Sequence, residues 1–183
     1  YMILEKELKQ RVIDCDRRAQ LELYRLCFNL LMGVARRYKK NEEDKQTLVN
    51  NAFMKIISNL HKYEEKSNFQ GWVKRIIMNE VIDDFRRSKN YKEIINQDYP
   101  IENVQVEEHA HVDYKHSEQE LLGMMDKLPK ATKLVFNMFA IDGYSHKEIC
   151  DQLGIGLETS KWHMKEARKS LKIMLSKQEQ HGK

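Results

Sequence analysis

Cysteine, proline and glycine are all scarce in this chain, at 3, 2 and 7 of 183 residues. The cysteines, Cys15, Cys27 and Cys150, lie far apart and form no Cys-x-x-Cys pair. An odd, unclustered set argues against a disulfide framework and for reduced thiols. Few prolines and glycines leave few backbone breaks, so long helices are expected. No apolar run approaches the roughly 18 residues of a membrane span, and no signal peptide is expected. The expectation is a cytoplasmic protein without membrane insertion. Neither a Walker loop, a GxGxxG nor a nucleophile–base motif is present, so no enzymatic activity and no cofactor are expected. A strong excess of one charge is also lacking: 32 Lys and Arg stand against 28 Asp and Glu, for a net charge of +4. That balance points only weakly to nucleic acid, and the placement of the charges matters more.

Helical periodicity runs to about Ser88, is lost from Lys89 to about Ser117, and then returns. In the first segment Leu23, Leu26, Leu30, Val34 and Tyr38 share one helical face. A second helix is expected to bury Leu48, Ala52, Phe53, Ile56, Ile57 and Leu60. A third, from about Phe69 to Arg87, carries Phe69, Trp72, Val73, Ile76, Ile77, Val81 and Phe85 as its core stripe. The middle segment is acidic (Glu93, Asp98, Glu102, Glu107, Glu108, Asp113) and contains Pro100, which reads as a linker. Its His109, His111 and His116 lack the fixed geometry a metal needs, so no metal site is expected. The fold class read from this pattern is all-α. Two small helical domains, 1–88 and 118–183, are joined by a flexible acidic linker, 89–117.

The densest signal lies between Gly143 and Leu171. Pro129 is expected as the first residue of a helix carrying Leu134, Val135, Met138, Phe139 and Ile141 and ending at Gly143. Ser145-x-x-Glu148 is a capping box. Ile149 and Leu153 form an inward pair, and Gly154 supplies a left-handed cap. Cys150 beside that pair reads as a small buried residue. A last helix runs from near Leu157 to about Met174. Along it Ser160, Met164, Ala167, Leu171 and Met174 make a packing stripe, and Lys161, Lys165, Arg168 and Lys172 make a parallel cationic one. Two short helices joined by a tight glycine turn are the architecture of a helix-turn-helix. Four cations on one edge suit a phosphate groove. At the helix start, Glu158 can accept from a cytosine amine, Lys161 can donate to guanine and Thr159 can serve either, with Trp162 alongside. The bland reading is a solvated basic face on an ordinary amphipathic helix.

The third helix has a polar face of its own, with Arg75, Asn79, Asp83 and Arg86 in helical register and Lys74 and Arg87 beside them. A polar loop containing Lys62, Tyr63, Lys66, Ser67 and Asn68 precedes it. An amide-and-arginine surface next to a loop aromatic can hold an extruded base and its strand. Scattered surface charge on a helix is the alternative.

The chain resembles an extracytoplasmic-function sigma factor, the small kind with only the second and fourth sigma regions, over roughly residues 20–175. The segment Glu43-Asp-Lys-Gln-Thr-Leu-Val-Asn-Asn-Ala-Phe53 is similar to that family's Asp-Ala-Glu-Asp-Leu-Val-Gln-Glu-Ala-Phe. Residues Asn68 to Arg87 resemble its Ser-Phe-x-x-Trp-Leu…Ile-Ala-x-Asn…Asp-x-x-Arg helix, and Leu128-Pro129 with the helix-turn-helix resembles its region four. The resemblance implies a docking surface for core RNA polymerase on or over Leu48, Val49, Asn50, Asn51 and Phe53. It implies promoter minus-ten contacts from Tyr63, Lys66, Ser67, Asn68, Arg75, Asn79, Asp83, Arg86 and Arg87. Minus-thirty-five contacts would come from Glu158, Thr159, Lys161, Trp162, Lys165 and Arg168. It further implies an anti-sigma partner, and a linker threading toward the polymerase active centre. Thr47, Asn50 and Asn51 replace the family's Asp, Gln and Glu, which makes the docking surface less acidic. His163 stands where the family commonly has Arg, so a phosphate contact there is expected to be weaker. Two rivals remain: a helix-turn-helix regulator that binds duplex operator DNA without polymerase, and a helical protein–protein adaptor.

Overall fold

The computed structural model describes residues 2–64, 68–88 and 118–181. Two compact units, Tyr1–Arg87 and Ser88–Lys183, make up the chain. Among the described residues all regular structure is helical. No helix there is long and apolar enough to cross a membrane. The acidic segment 89–117, with its three histidines, lies outside the described residues.

The first unit is built from helices Lys6–Ile13 (α1), Arg17–Tyr38 (α2), Glu42–Asn59 (α3) and Phe69–Arg87 (α4), with a 3-10 turn at Leu60–Lys62. The sequence pattern did not mark α1. It is parted from α2 by Cys15 at φ 65°, a left-handed conformation uncommon outside glycine. Asp16 then caps α2, accepting from the backbone N–H of Arg18 at 2.8 Å and Ala19 at 3.4 Å. Asn41 caps α3 through the Asp44 N–H at 2.7 Å. Glu42, Glu43 and Asp44 in its first turn suit the positive end of the helix dipole.

The buried faces are rotated from those expected. On α2 the core residues are Ala19, Leu23, Cys27, Leu31, Val34 and Ala35, while Leu26, Leu30 and Tyr38 are only half-buried. The reason is that α2 packs on both α3 and α4. Its small residues Ala19, Cys27 and Ala35 alternate with large ones, filling the space between helices at interior density. On α4, likewise in contact with two helices, Met78, Glu80 and Ile82 join the buried set, whereas Trp72, Ile76 and Phe85 are half-buried.

The second unit comprises Glu118–Met125 (α5), Lys130–Phe136 (α6), a π-helical turn at Asn137–Ile141, His146–Leu153 (α7) and Leu157–His181 (α8). Pro129 is the N-cap of α6 rather than its first helical residue: its ψ of 145° is extended. Its carbonyl accepts from the Lys133 N–H at 2.8 Å and so starts the helix from outside. The widened turn after Phe136 leaves Ile141 exposed, and Gly143 at φ 79° redirects the chain. The capping box at α7 is complete, with Glu148 Oε2 accepting from the Ser145 N–H at 2.8 Å and Ser145 Oγ accepting from the Glu148 N–H at 3.2 Å. Gly154 closes α7 in the left-handed region at φ 62°. The helices α6, α7 and α8 pack around Leu134, Val135, Met138, Ile149, Leu153, Met164 and Ala167, all buried.

Candidate nucleic-acid interface

In α8 the packing stripe and the cationic stripe are adjacent registers of one helix. Ser160, Met164 and Ala167 are buried, and Leu171 and Met174 are half-buried as the helix leaves the core. One residue along, Lys165, Arg168 and Lys172 are exposed and Lys161 is half-buried. Two polar contacts fix this rotation. Ser160 Oγ is hydrogen-bonded to His146 Nδ1 at 2.8 Å, and the His146 ring stacks on Phe139 with centroids 4.3 Å apart. That ties the start of α7 to the first turn of α8. Burial, and then the charges of Lys161 and Arg168, hold the His146 pKa below the usual histidine value.

His163 supplies the second contact. It is completely buried, with Nδ1 hydrogen-bonded to Thr132 Oγ1 of α6 at 3.0 Å. The side chain belongs to the packing face and its Nδ1 is satisfied inside the unit, which goes further than the weakened phosphate contact expected at this position. Trp162 is half-buried with its ring edge against His163, centroids 4.9 Å apart, so part of it packs and part faces solvent. Glu158 is exposed, Thr159 is half-buried, and Lys161 Nζ donates to Glu158 Oε1 at 3.1 Å. Two residues expected to read bases thus partner one another in the free protein. Cys150 is half-buried, and burial raises its thiol pKa.

The first unit treats its expected residues unevenly. Arg75, Asn79, Arg86 and Arg87 are exposed along α4, and Asp83 is half-buried. Asn68 is exposed, and its side-chain oxygen accepts from the Gly71 N–H at 3.3 Å, closing the first turn. Tyr63 is a correction. It is 5% exposed, with its ring centroid 5.0 Å from that of Phe69 and 5.4 Å from that of Trp72, so it packs inside the unit instead of forming a surface platform. Lys9 Nζ donates to the Tyr63 carbonyl at 2.8 Å and lies over its ring. Lys66 and Ser67 fall outside the described residues. Of the expected docking residues, Asn50 and Asn51 are exposed. Leu48, Val49 and Phe53 are buried and lie beneath that surface, Phe53 edge-on to Tyr24 with ring centroids 4.9 Å apart.

A shallow groove of about 590 Å³ runs between α3 and α4, lined by Asn51, Met54, Lys55, Glu80, Asp83, Arg86 and Arg87. Glu80 pairs there with Lys55 and with Arg87. Sequence reasoning missed Lys55 and Glu80. The available signal was a carboxylate at a core register, between Ile77 and Val81 on the buried face of α4. Among the described residues no cluster of His, Cys, Asp and Glu is suited to a metal ion.

Two family models match this chain, Sigma-70 region 2 over residues 23–91 and Sigma-70 region 4 over residues 118–171. Together they take in about two thirds of its length. The chain is also 27% identical, over 160 residues, to an ECF RNA polymerase sigma factor, SigE of Mycolicibacterium smegmatis. The chain belongs to the sigma-70 family. The match to SigE takes in 85% of this chain and only 61% of that longer relative. Another relative, the RNA polymerase sigma factor SigV of Bacillus subtilis, is 22% identical over 93% of this chain and 95% of its own. In fold, the chain is similar to the sigma factor RpoE from Bartonella quintana, solved in complex with the anti-sigma factor NepR. That likeness has a TM-score of 0.52 at 20% identity and covers 85% of this chain and 95% of that one. Sigma factors are DNA-binding initiation factors and not enzymes. The region 2 match takes in α2, α3 and α4, and the region 4 match takes in the helix-turn-helix.

Proposed function

We propose that this sigma factor directs core RNA polymerase to promoters by reading duplex with its second unit and capturing unpaired bases with its first. The supporting observation is the split of α8 into a packed register and an exposed cationic one, set at a fixed rotation by His146, Ser160, His163 and Thr132. A helix so held can enter a major groove with Glu158, Thr159, Lys161 and Trp162 near base edges and Lys165 and Arg168 toward phosphates. Cations on phosphates give affinity and register, while the first turns give sequence preference.

Exposed Arg75, Asn79, Arg86 and Arg87 on α4, with Asp83 and the loop carrying Lys66, Ser67 and Asn68, are assigned to the minus-ten strand. Tyr63 acts there as a buried support. A surface that binds separated bases better than paired ones shifts DNA toward the melted state by that difference in affinity. Asn50 and Asn51, backed by Leu48, Val49 and Phe53, are assigned to polymerase docking. An anti-sigma factor that sequesters these surfaces is the proposed regulator, and the cytoplasm the proposed location.

The test is transcription in vitro with core polymerase, the purified protein and a library of promoter fragments. Specific transcripts that depend on the protein are expected. Tight operator binding by the protein alone, with no polymerase association, would favour the duplex-binding regulator instead.

A further inference from the structure

Glu80 is a buried charge that none of the assigned contacts uses. Its side chain is only 4% exposed. A carboxylate so placed is stable as an anion only when cations compensate it. Both cations come from exposed side chains on different helices. Lys55 of α3 pairs with Oε2, and Arg87, two turns further along α4, brings Nη2 to 3.2 Å from Oε1. Arg87 is held a second time, its Nε donating to the Asp83 carbonyl at 3.3 Å. Lys55 also lies 3.5 Å from Asp83 Oδ2. The Glu80 carboxylate raises the Lys55 pKa, so this lysine stays charged.

The groove therefore joins a docking candidate, Asn51, to strand-binding candidates, Arg86 and Arg87, across one buried anion. An arginine fixed at two nitrogens keeps the other N–H groups of its fork free to donate, and it loses less freedom on meeting a phosphate. The same anion offsets the positive charge that the groove shows to intact duplex.

We propose that Glu80 is a positioning residue for promoter opening: it sets the Arg87 guanidinium for a phosphate of the separated strand and tempers the groove's attraction for paired DNA. This rests on the functional reading above. Glu80→Gln keeps the shape and removes the charge. Duplex binding by the holoenzyme should hold or tighten at low salt, with a salt slope steeper by up to about one contact. Opening, read as reactivity of unpaired thymines, should fall about tenfold, the scale of one hydrogen bond to a charged group.

The experiment compares wild type, Glu80→Gln, Arg87→Gln and the double variant, each bound to core polymerase, for duplex binding across salt and for opening. The loss caused by Glu80→Gln should vanish when Arg87 is already Gln, because the two act through one contact. Glu80→Asp, which keeps the charge but shortens the reach, should impair opening at a wild-type salt slope. It also serves if the Gln variant fails to fold. Equal loss of duplex binding and opening, or the same loss of opening with and without Arg87, would overturn the proposal as a merely structural role. A wild-type holoenzyme that opens no promoter would overturn the functional reading and this inference with it.

Discussion

Helix α8 divides its work by register, whereas α4 shares its polar face with a second helix. On α8 the residues that pack and the residues that face outward alternate on one helical repeat, and every buried polar group named there is satisfied within its own unit. On α4 the exposed Asn79 and Arg86 stand beside Glu80 and Asp83, which are tied to Lys55 of α3, and beside Arg87, which pairs with Glu80. A single-register face can be read, moved or mutated a residue at a time. A shared face cannot, because removing one charge leaves its partners uncompensated.

The largest effect that separates the two designs is on folding. Leu153 of α7 is fully buried, and Leu153→Ala should destabilise the second unit by about 2–5 kcal/mol. Denaturation followed by Trp162 fluorescence in a Trp72→Phe background measures it. A cost well under 1 kcal/mol would mean that α7 does not hold the rotation of α8.

Next is the cationic stripe. Replacing Lys165 and Arg168 with Ala should weaken promoter binding and flatten its salt slope by about 0.9 per lost phosphate contact. Both side chains are exposed, so the denaturation midpoint should stay in place. Unchanged binding at low salt would return α8 to an ordinary solvated face.

A smaller effect concerns pH. Because burial and neighbouring cations depress the His146 pKa, the folded unit binds fewer protons than the unfolded chain at and below about pH 6.5. Stability of the second unit should then rise with pH through that window and be lost as pH falls toward the folded pKa of His146. His146→Gln should flatten the dependence. A slope equal to wild type would remove His146 as its source.

The smallest effect is chemical. Burial pushes the Cys27 thiol up to about 12, whereas Cys15 is exposed in the turn before α2. Thiol labelling of the native protein should proceed fastest at Cys15, more slowly at half-buried Cys150 and last at Cys27. Early labelling of Cys27 would indicate that the first unit opens readily.

What could be read from sequence follows the same division. The capping box, the Gly154 turn and the two stripes of α8 are local patterns, and they stand as expected. The inward turn of His163 was not legible, because its bond to Thr132 spans 31 residues of sequence. The faces of α2 and α4 were misjudged because each helix packs on more than one neighbour, which no single-helix period reveals. Tyr63 looked like a loop aromatic, but contacts with Lys9, Phe69 and Trp72 bury it. Glu80 and Lys55 belong to different helices, so their pairing is a tertiary fact.

The most direct test of the proposed division of labour uses Asn79→Ala in the polymerase-bound protein, scoring duplex binding and thymine reactivity on one promoter. The account predicts near-normal binding with reduced strand opening, the reverse of the Lys165 and Arg168 variants. Equal loss of both signals would contradict it.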